Sequence, residues 1–260
     1  MDLEKIENDK FALTVDILIF SISNGEVSDV RKLPEKNFSI LLVKRNKEPY
    51  INKWCLPGGF AHIDETLDDS ANRVLEKETN LKNIYKEQLY TFSDINRDSR
   101  KRVITCAYMA LLDKNKIKEK LNEDAKWFNI KLEETNDHIN ITMSSEDEEI
   151  SFDAKKVLKD ISTSQYEYQI SENNLLGFDH PLIIITAILR LRNKASDTDI
   201  VFNLLPKYFT LGELQQVYEI ILNKKLLDPA FRRIIASKVE KSDKLVKTGG
   251  HRPSVLYKYK

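Results

Sequence analysis

Between Thr66 and Thr79, Leu67, Ala71, Val74, Leu75 and Glu78 fall at i, i+4, i+7, i+8 and i+11, the period of an amphipathic helix with one face on a core. Gly58-Gly59 and the run Asp64-Glu65 lead into it. Residues three and four apart are neighbours on a helix, so positions 74, 77 and 78 share a face. That face carries Val74, Lys77 and Glu78: one apolar side chain, one ammonium and one carboxylate. Glu76 lies about 200° round the helix from Val74 and cannot join them. A hard cation such as Mg²⁺ wants several oxygen ligands, and this face offers one.

The chain around this helix reads as globular. Its 260 residues suffice for one large domain or two smaller ones, and 41% apolar with 32% charged residues can bury a real core. The amino terminus, Met1 to Lys10, is too charged for a secretory signal. The longest apolar runs, such as Leu182 to Leu189, fall far short of the roughly 20 residues of a membrane span. Cys55 and Cys106 form no CxxC pair and read as buried, reduced thiols of a cytoplasmic protein. The four histidines show no metal-ligand spacing.

Phe11 to Ser21 and Phe38 to Lys44 read as strands, as do Leu89 to Phe92 and Val103 to Leu112. Asn115 to Glu123 is expected as a short helix. The segment 129–174 reads as an insertion with strands at His138 to Met143, Glu149 to Phe152 and Tyr166 to Ile170. Its acidic run Ser144 to Glu149 is expected as a solvated hairpin tip. Asp179 and Pro181 start a helix running through Leu191, expected to bridge two domains.

Charge is unevenly spread. Pro206 to Lys260 holds twelve Lys or Arg against five Asp or Glu, and the remainder is correspondingly acidic. Thr210-Leu211-Gly212-Glu213 is a capping box that opens a helix, and Asp228-Pro229 is expected to cap a second one after a short break. Phe231, Ile234 and Ile235 should face the core, leaving Arg232, Arg233 and Lys238 outward. Two strands around Gly249-Gly250-His251-Arg252-Pro253 then read as a hairpin with a basic tip. Helix, turn, helix and wing in that order make a winged helix-turn-helix, a fold that reads DNA and can also bind protein.

Gly59, Glu65, Arg73, Leu75, Glu78 and Leu81 fall on the spacing G-x5-E-x7-R-E-U-x-E-E-x-G-U, with Trp54 to Gly59 as its lead-in. The segment resembles a Nudix box in which two of three metal-carrying glutamates are Val74 and Lys77. Ser93 to Asp98, Leu176 to His180, Leu204 to Gln215, Phe231-Arg232-Arg233 and Arg252-Pro253 extend the likeness. Most of the chain is similar to the Nudix-related transcriptional regulators. The resemblance implies a Nudix-type α/β (α+β) mixed sheet flanked by helices (1–175), a connecting helix (176–200) and a winged helix-turn-helix domain (201–260). It also implies a metabolite-responsive regulator, a homodimer on operator DNA, whose Nudix domain senses ADP-ribose or a sugar.

On this reading Glu65, Arg73 and Glu78 are residual box positions, and Glu78 alone keeps a metal-ligand position. Arg45, Gly58, Gly59, Arg73 and Lys77 are expected at the effector, with Arg73 and Lys77 drawing a phosphate unless Arg73 pairs with Glu76 or Glu78. Arg232, Arg233, Lys238, Lys247, His251 and Arg252 are expected at DNA. No cofactor is expected, with Mg²⁺ needed only if hydrolysis persists. The alternatives are an ADP-ribose-type pyrophosphatase with an appended domain, and a nucleotide-binding adaptor whose winged domain binds protein.

Overall fold

The computed structural model describes residues 11–25, 33–117, 121–162, 165–171, 173, 175–246 and 253–260. They divide into two compact units. One comprises the chain up to Ile19 with Ile40–Ala110 and Ile117–Ala187; the other comprises Phe20–Ser39, Leu111–Lys116 and Ile188–Lys260.

Strands β1 (Ala12–Asn24), β2 (Lys36–Lys44), β3 (Trp54–Cys55) and β4 (Gly58–Phe60) precede helix α1 (Leu67–Thr79). Then come β5 (Tyr85–Phe92), β6 (Val103–Leu112), β7 (Ala125–Glu134), β8 (His138–Ser144), β9 (Glu149–Asp160) and β10 (Gln165–Ile170). The sheet runs β10-β9-β8-β7-β2-β1-β6-β5, with β3 on β2 and β4 on β1. β1 and β2 are apolar on both faces, and Ile17, Leu18, Ile19, Ile40, Leu41 and Leu42 are all fully buried. Such side chains contribute about 1.5–3 kcal/mol each.

The segment read as an insertion extends this sheet. β8 alternates half-buried and buried residues, the period of a strand with one covered face. Its buried set Ile139, Ile141 and Met143 pairs with Ala154, Phe152 and Ile150 of β9. A one-residue slip would turn all of them to water, so the pattern fixes the register. The acidic tip between β8 and β9 is not simply solvated. Glu148 accepts from the Trp54 indole N–H and pairs with Lys44 at 3.0 Å, while Asp147 pairs with Lys126 at 2.6 Å.

Two further expectations change. The helix expected from Asn115 to Glu123 is a single 3₁₀ turn, Lys114–Lys116, among the described residues. Asp113 Oδ1 accepts from the Asn115 backbone and side chain, an Asx turn that diverts the backbone from a helix. The connecting helix α2 (His180–Asp197) runs past Leu191 because Ala195 continues its buried stripe.

The second unit holds a 3₁₀ turn (Ile200–Leu204), α3 (Leu211–Leu222), α4 (Asp228–Ile235) and the hairpin β11 (Val239–Val246) with β12 (Ser254–Tyr259). The Thr210–Glu213 capping box forms as read. Leu227, not Asp228, is the N-cap of α4, without a side-chain cap. Asp228 instead accepts from Gln215 Nε2 at 2.9 Å. Phe231 and Ile235 are buried, but Ile234 is 61% exposed and leaves the expected core set.

Candidate effector pocket and nucleic-acid interface

The first unit carries a pocket built where three stretches of chain meet. β4 pairs antiparallel with β1, setting Gly58 opposite Asp16 and Gly59 opposite Val15. A Cβ on Gly58 would overlap the Asp16 carboxylate and lie 2.8 Å from the Val15 carbonyl, so no other residue allows this approach. On the far side, Trp54 N–H donates to the Leu175 carbonyl and Gly177 N–H to the Trp54 carbonyl. A Cβ on Gly177 would meet Cys55 Sγ at 2.8 Å. Phe178 follows with φ 56°, a left-handed backbone that costs a non-glycine residue about 1 kcal/mol or more. That bend leads into α2, whose first residue His180 lines the pocket, while Asp179 just before it meets Arg97.

Arg97, from the polar connection between β5 and β6, is almost wholly buried. It donates to both oxygens of Asp179 at 3.0 and 2.8 Å and to Asp16 at 3.4 Å. Burial raises the Asp16 pKa and the Arg97 charge opposes it. His180 Nδ1 accepts the Leu56 N–H at 2.9 Å, which leaves the ring proton on Nε2, 3.9 Å from Asp16 Oδ1. Burial pushes the imidazole down to about 4, so it is neutral near pH 7. Arg45 donates to the Pro49 carbonyl at 2.6 Å, and its guanidinium lies 5.2 Å from the Phe178 ring centre. Asp98 and Arg100 form a bidentate pair on the same wall.

The pocket is an open cleft of about 130 Å³, below the usual span of small-ligand sites, so a nucleotide-sized ligand would seat only one end in it. Of the residues expected at an effector, Arg45, Gly58 and Gly59 line the pocket; Arg73 and Lys77 do not. Asp16, Arg97, Phe178 and His180 were not expected there.

The box helix shows why. Glu65 takes Arg73 through Nε at 3.0 Å and through NH2, and Arg73 also donates to the Phe60 carbonyl. The Arg73 hydrogen bonds hold the Glu65 carboxyl well below its ordinary value. Neither Glu76 nor Glu78 pairs with Arg73; Lys77 takes Glu78 at 2.9 Å. The two cations thus both have carboxylate partners, which removes the like-charge strain that suggested an anion between them. Val74 is 3% exposed and packs into the core. Glu78, itself buried, also accepts from Asn122. One carboxylate already matched by an ammonium does not fit Mg²⁺, and no cluster of three His, Cys, Asp or Glu side chains among the described residues could hold a metal.

In the second unit the turn between α3 and α4 is fixed by side chains. Asn223 adopts the left-handed conformation at φ 51°, Gln215 Nε2 donates to the Leu226 carbonyl and Asp228, and Glu219 accepts the Leu226 N–H. With Phe231 and Ile235 buried, Arg232 and Arg233 are exposed on α4. Lys238, expected outward, is half-buried and pairs with Asp199 at 2.7 Å; Asp199 also accepts from the Tyr259 hydroxyl. Asp199 therefore joins Lys238, just past α4, to Tyr259 of β12. Lys244 sits 4.0 Å from the Tyr208 ring centre, adding a cation the sequence did not single out. Lys247, His251 and Arg252 lie outside the described residues.

Residues 28–144 match the NUDIX domain family and residues 201–259 the NrtR DNA-binding winged helix domain. The ADPR responsive transcriptional repressor NtrR of Acinetobacter baylyi is 30% identical over 253 residues, covering 95% of this chain and 81% of that protein. The chain belongs to the Nudix-related transcriptional regulators. Within that family, the crystal structure of Shewanella oneidensis NrtR complexed with a 27mer DNA superposes with a TM-score of 0.67 at 28% identity, covering 95% of this chain and 93% of that one. A shorter likeness, 36% over 92 residues, links 35% of the chain to 53% of an ADP-ribose pyrophosphatase from Methanocaldococcus jannaschii. The Nudix sheet and the winged helix expected from sequence are both present in this regulator. No helix among its described residues is long and apolar enough to cross a membrane.

Proposed function

We propose that this chain is a metabolite-responsive transcriptional regulator. Its winged helix binds operator DNA, and its Nudix domain serves as a sensor without turnover. The observation that carries this reading is the box helix in a chain that also holds a winged helix: Val74 is core, Lys77 neutralises Glu78, and three-carboxylate metal chemistry has no seat. The effector is an ADP-ribose-like nucleotide, in keeping with the repressor from Acinetobacter baylyi named as ADPR responsive; a sugar is the second candidate. One end of that ligand enters the pocket between Arg45, Phe178, Gly58 and Gly59, with Arg97 and His180 at its base. The regulator acts in the cytoplasm as a two-fold dimer on a near-palindromic site, because protein symmetry sets half-site spacing.

The likeness to a pyrophosphatase supports a second reading, a hydrolase with an appended domain. Sequencing the DNA that the purified protein selects from a random pool, followed by mobility-shift titrations at two salt concentrations, tests the first. Arg233→Ala should lose roughly 1–3 kcal/mol of discrimination at one base pair if it pairs with guanine. Lys244→Ala should weaken all sequences alike and lower the salt slope. If no sequence is enriched and neither variant changes DNA affinity, the winged domain is a protein-binding module and the adaptor reading stands.

A further inference from the structure

α4 spends its buried face on two residues, Phe231 and Ile235, which project together into the core of the second unit. At about 100° per residue, Ile234 then falls some 80° to one side of that direction and Arg232 a similar angle to the other. Arg233 points away from the core between them. Ile234 is 61% exposed, and Ala230, one turn earlier, lies on the same strip of the helix. The outer face of α4 is therefore a narrow apolar strip beside two exposed guanidinium groups.

Ile234, Ala230 and Leu227, which is 78% exposed at the N-cap, form a strip one side chain wide bordered by Arg233, too narrow to hold a bilayer. The surrounding charge selects the partner: the tail from Pro206 carries twelve Lys or Arg against five Asp or Glu. In the major groove of DNA only thymine offers an apolar group, its C5 methyl, to a side chain that stands beside cations suited to phosphates and guanine.

We propose that Ile234 reads a thymine C5 methyl in each half-site and is a specificity-determining residue. This rests on the DNA-binding reading above. It also gives a reason for the exposure of a large apolar side chain on the second helix of the helix-turn-helix.

The test replaces each thymine of the selected operator, one symmetric pair at a time, by deoxyuridine, which lacks only that methyl. Wild-type protein should lose roughly fourfold in affinity per half-site at one position and little elsewhere. Ile234→Ala should bind the unmodified operator more weakly by a similar factor and be indifferent to deoxyuridine at that same position. Ile234→Val, which keeps a methyl in reach, should retain part of the sensitivity. Ile234 is exposed, so these variants should keep the wild-type unfolding midpoint. If wild type and Ile234→Ala respond identically to deoxyuridine at every thymine, Ile234 does not read a methyl, although DNA binding itself stands. If the wild-type protein selects no DNA, this inference and the DNA-binding reading fall together.

Discussion

Acidifying the protein from pH 7 to pH 5 should lower its stability through the buried imidazole at the base of the pocket. His180 is fully enclosed and titrates at about 4 instead of 6.5, because burial disfavours the charged ring. Asp179 pulls the other way, and Arg97 and Arg45 add to the depression. A histidine with a depressed folded pKa contributes stability that is fully present above 6.5 and is lost as pH falls toward 4, where the unfolded chain binds the proton first. Between pH 7 and pH 5 that loss is about 2 kcal/mol. Asp16, whose pKa burial raises, has the opposite sign: its penalty fades as pH falls toward 3.8. The slope of the wild type alone therefore mixes two groups, and a variant separates them. His180→Leu removes the acceptor of the Leu56 N–H and should cost roughly 1–3 kcal/mol at pH 7. Its deficit should shrink by about 2 kcal/mol at pH 5, since the variant has no imidazole to protonate. Urea unfolding of both proteins at the two pH values reads this directly. A deficit that is equal at pH 7 and pH 5 would refute the buried neutral imidazole.

Two other substitutions bear on the box and on the reading head. Val74→Glu places a carboxylate at a 3% exposed core position and should cost roughly 2 kcal/mol or more by chemical denaturation. The double variant with Lys77→Glu restores three carboxylates to one helix face and should gain Mg²⁺-dependent turnover of ADP-ribose over wild type, as read by chromatography. Gln215→Ala removes the amide that joins Leu226 to Asp228 and should destabilise by about 1 kcal/mol. Its operator affinity should fall by a similar factor on every sequence, as measured by mobility shift.

Periodic elements with local signals were legible in the sequence. The helix at Leu67–Thr79 follows from its apolar spacing, α3 from its capping box, and β8 from alternation. Single-residue placement was less so. Phe231 and Ile235 already define the buried arc of an eight-residue helix, and nothing in the spacing says that the arc stops short of Ile234. Asp228 looks like a cap, but its carboxylate is taken by Gln215 from α3. Arg73 seemed free to meet an anion because Glu65, eight residues earlier, returns to it only through the folded loop. The pocket was the least legible part. Asp16, Arg97 and His180 are distant in the chain and meet because β4 lies on β1 and Gly177 allows a close turn beneath Cys55. The blocks Ser93 to Asp98 and Leu176 to His180 stood out as family-like, without a sign that they share one wall.

The most direct test of a sensor that does not turn over its effector follows DNA and ligand in one reaction. Wild-type protein on its selected operator is titrated with ADP-ribose in the presence of Mg²⁺, with fluorescence anisotropy for the DNA and chromatography for the nucleotide. The account predicts that the operator is released while the ADP-ribose is recovered intact, and that Arg45→Ala needs more ligand for the same release. Stoichiometric conversion to AMP and ribose 5-phosphate, or an operator complex unmoved by any ADP-ribose-like nucleotide or sugar, would contradict it.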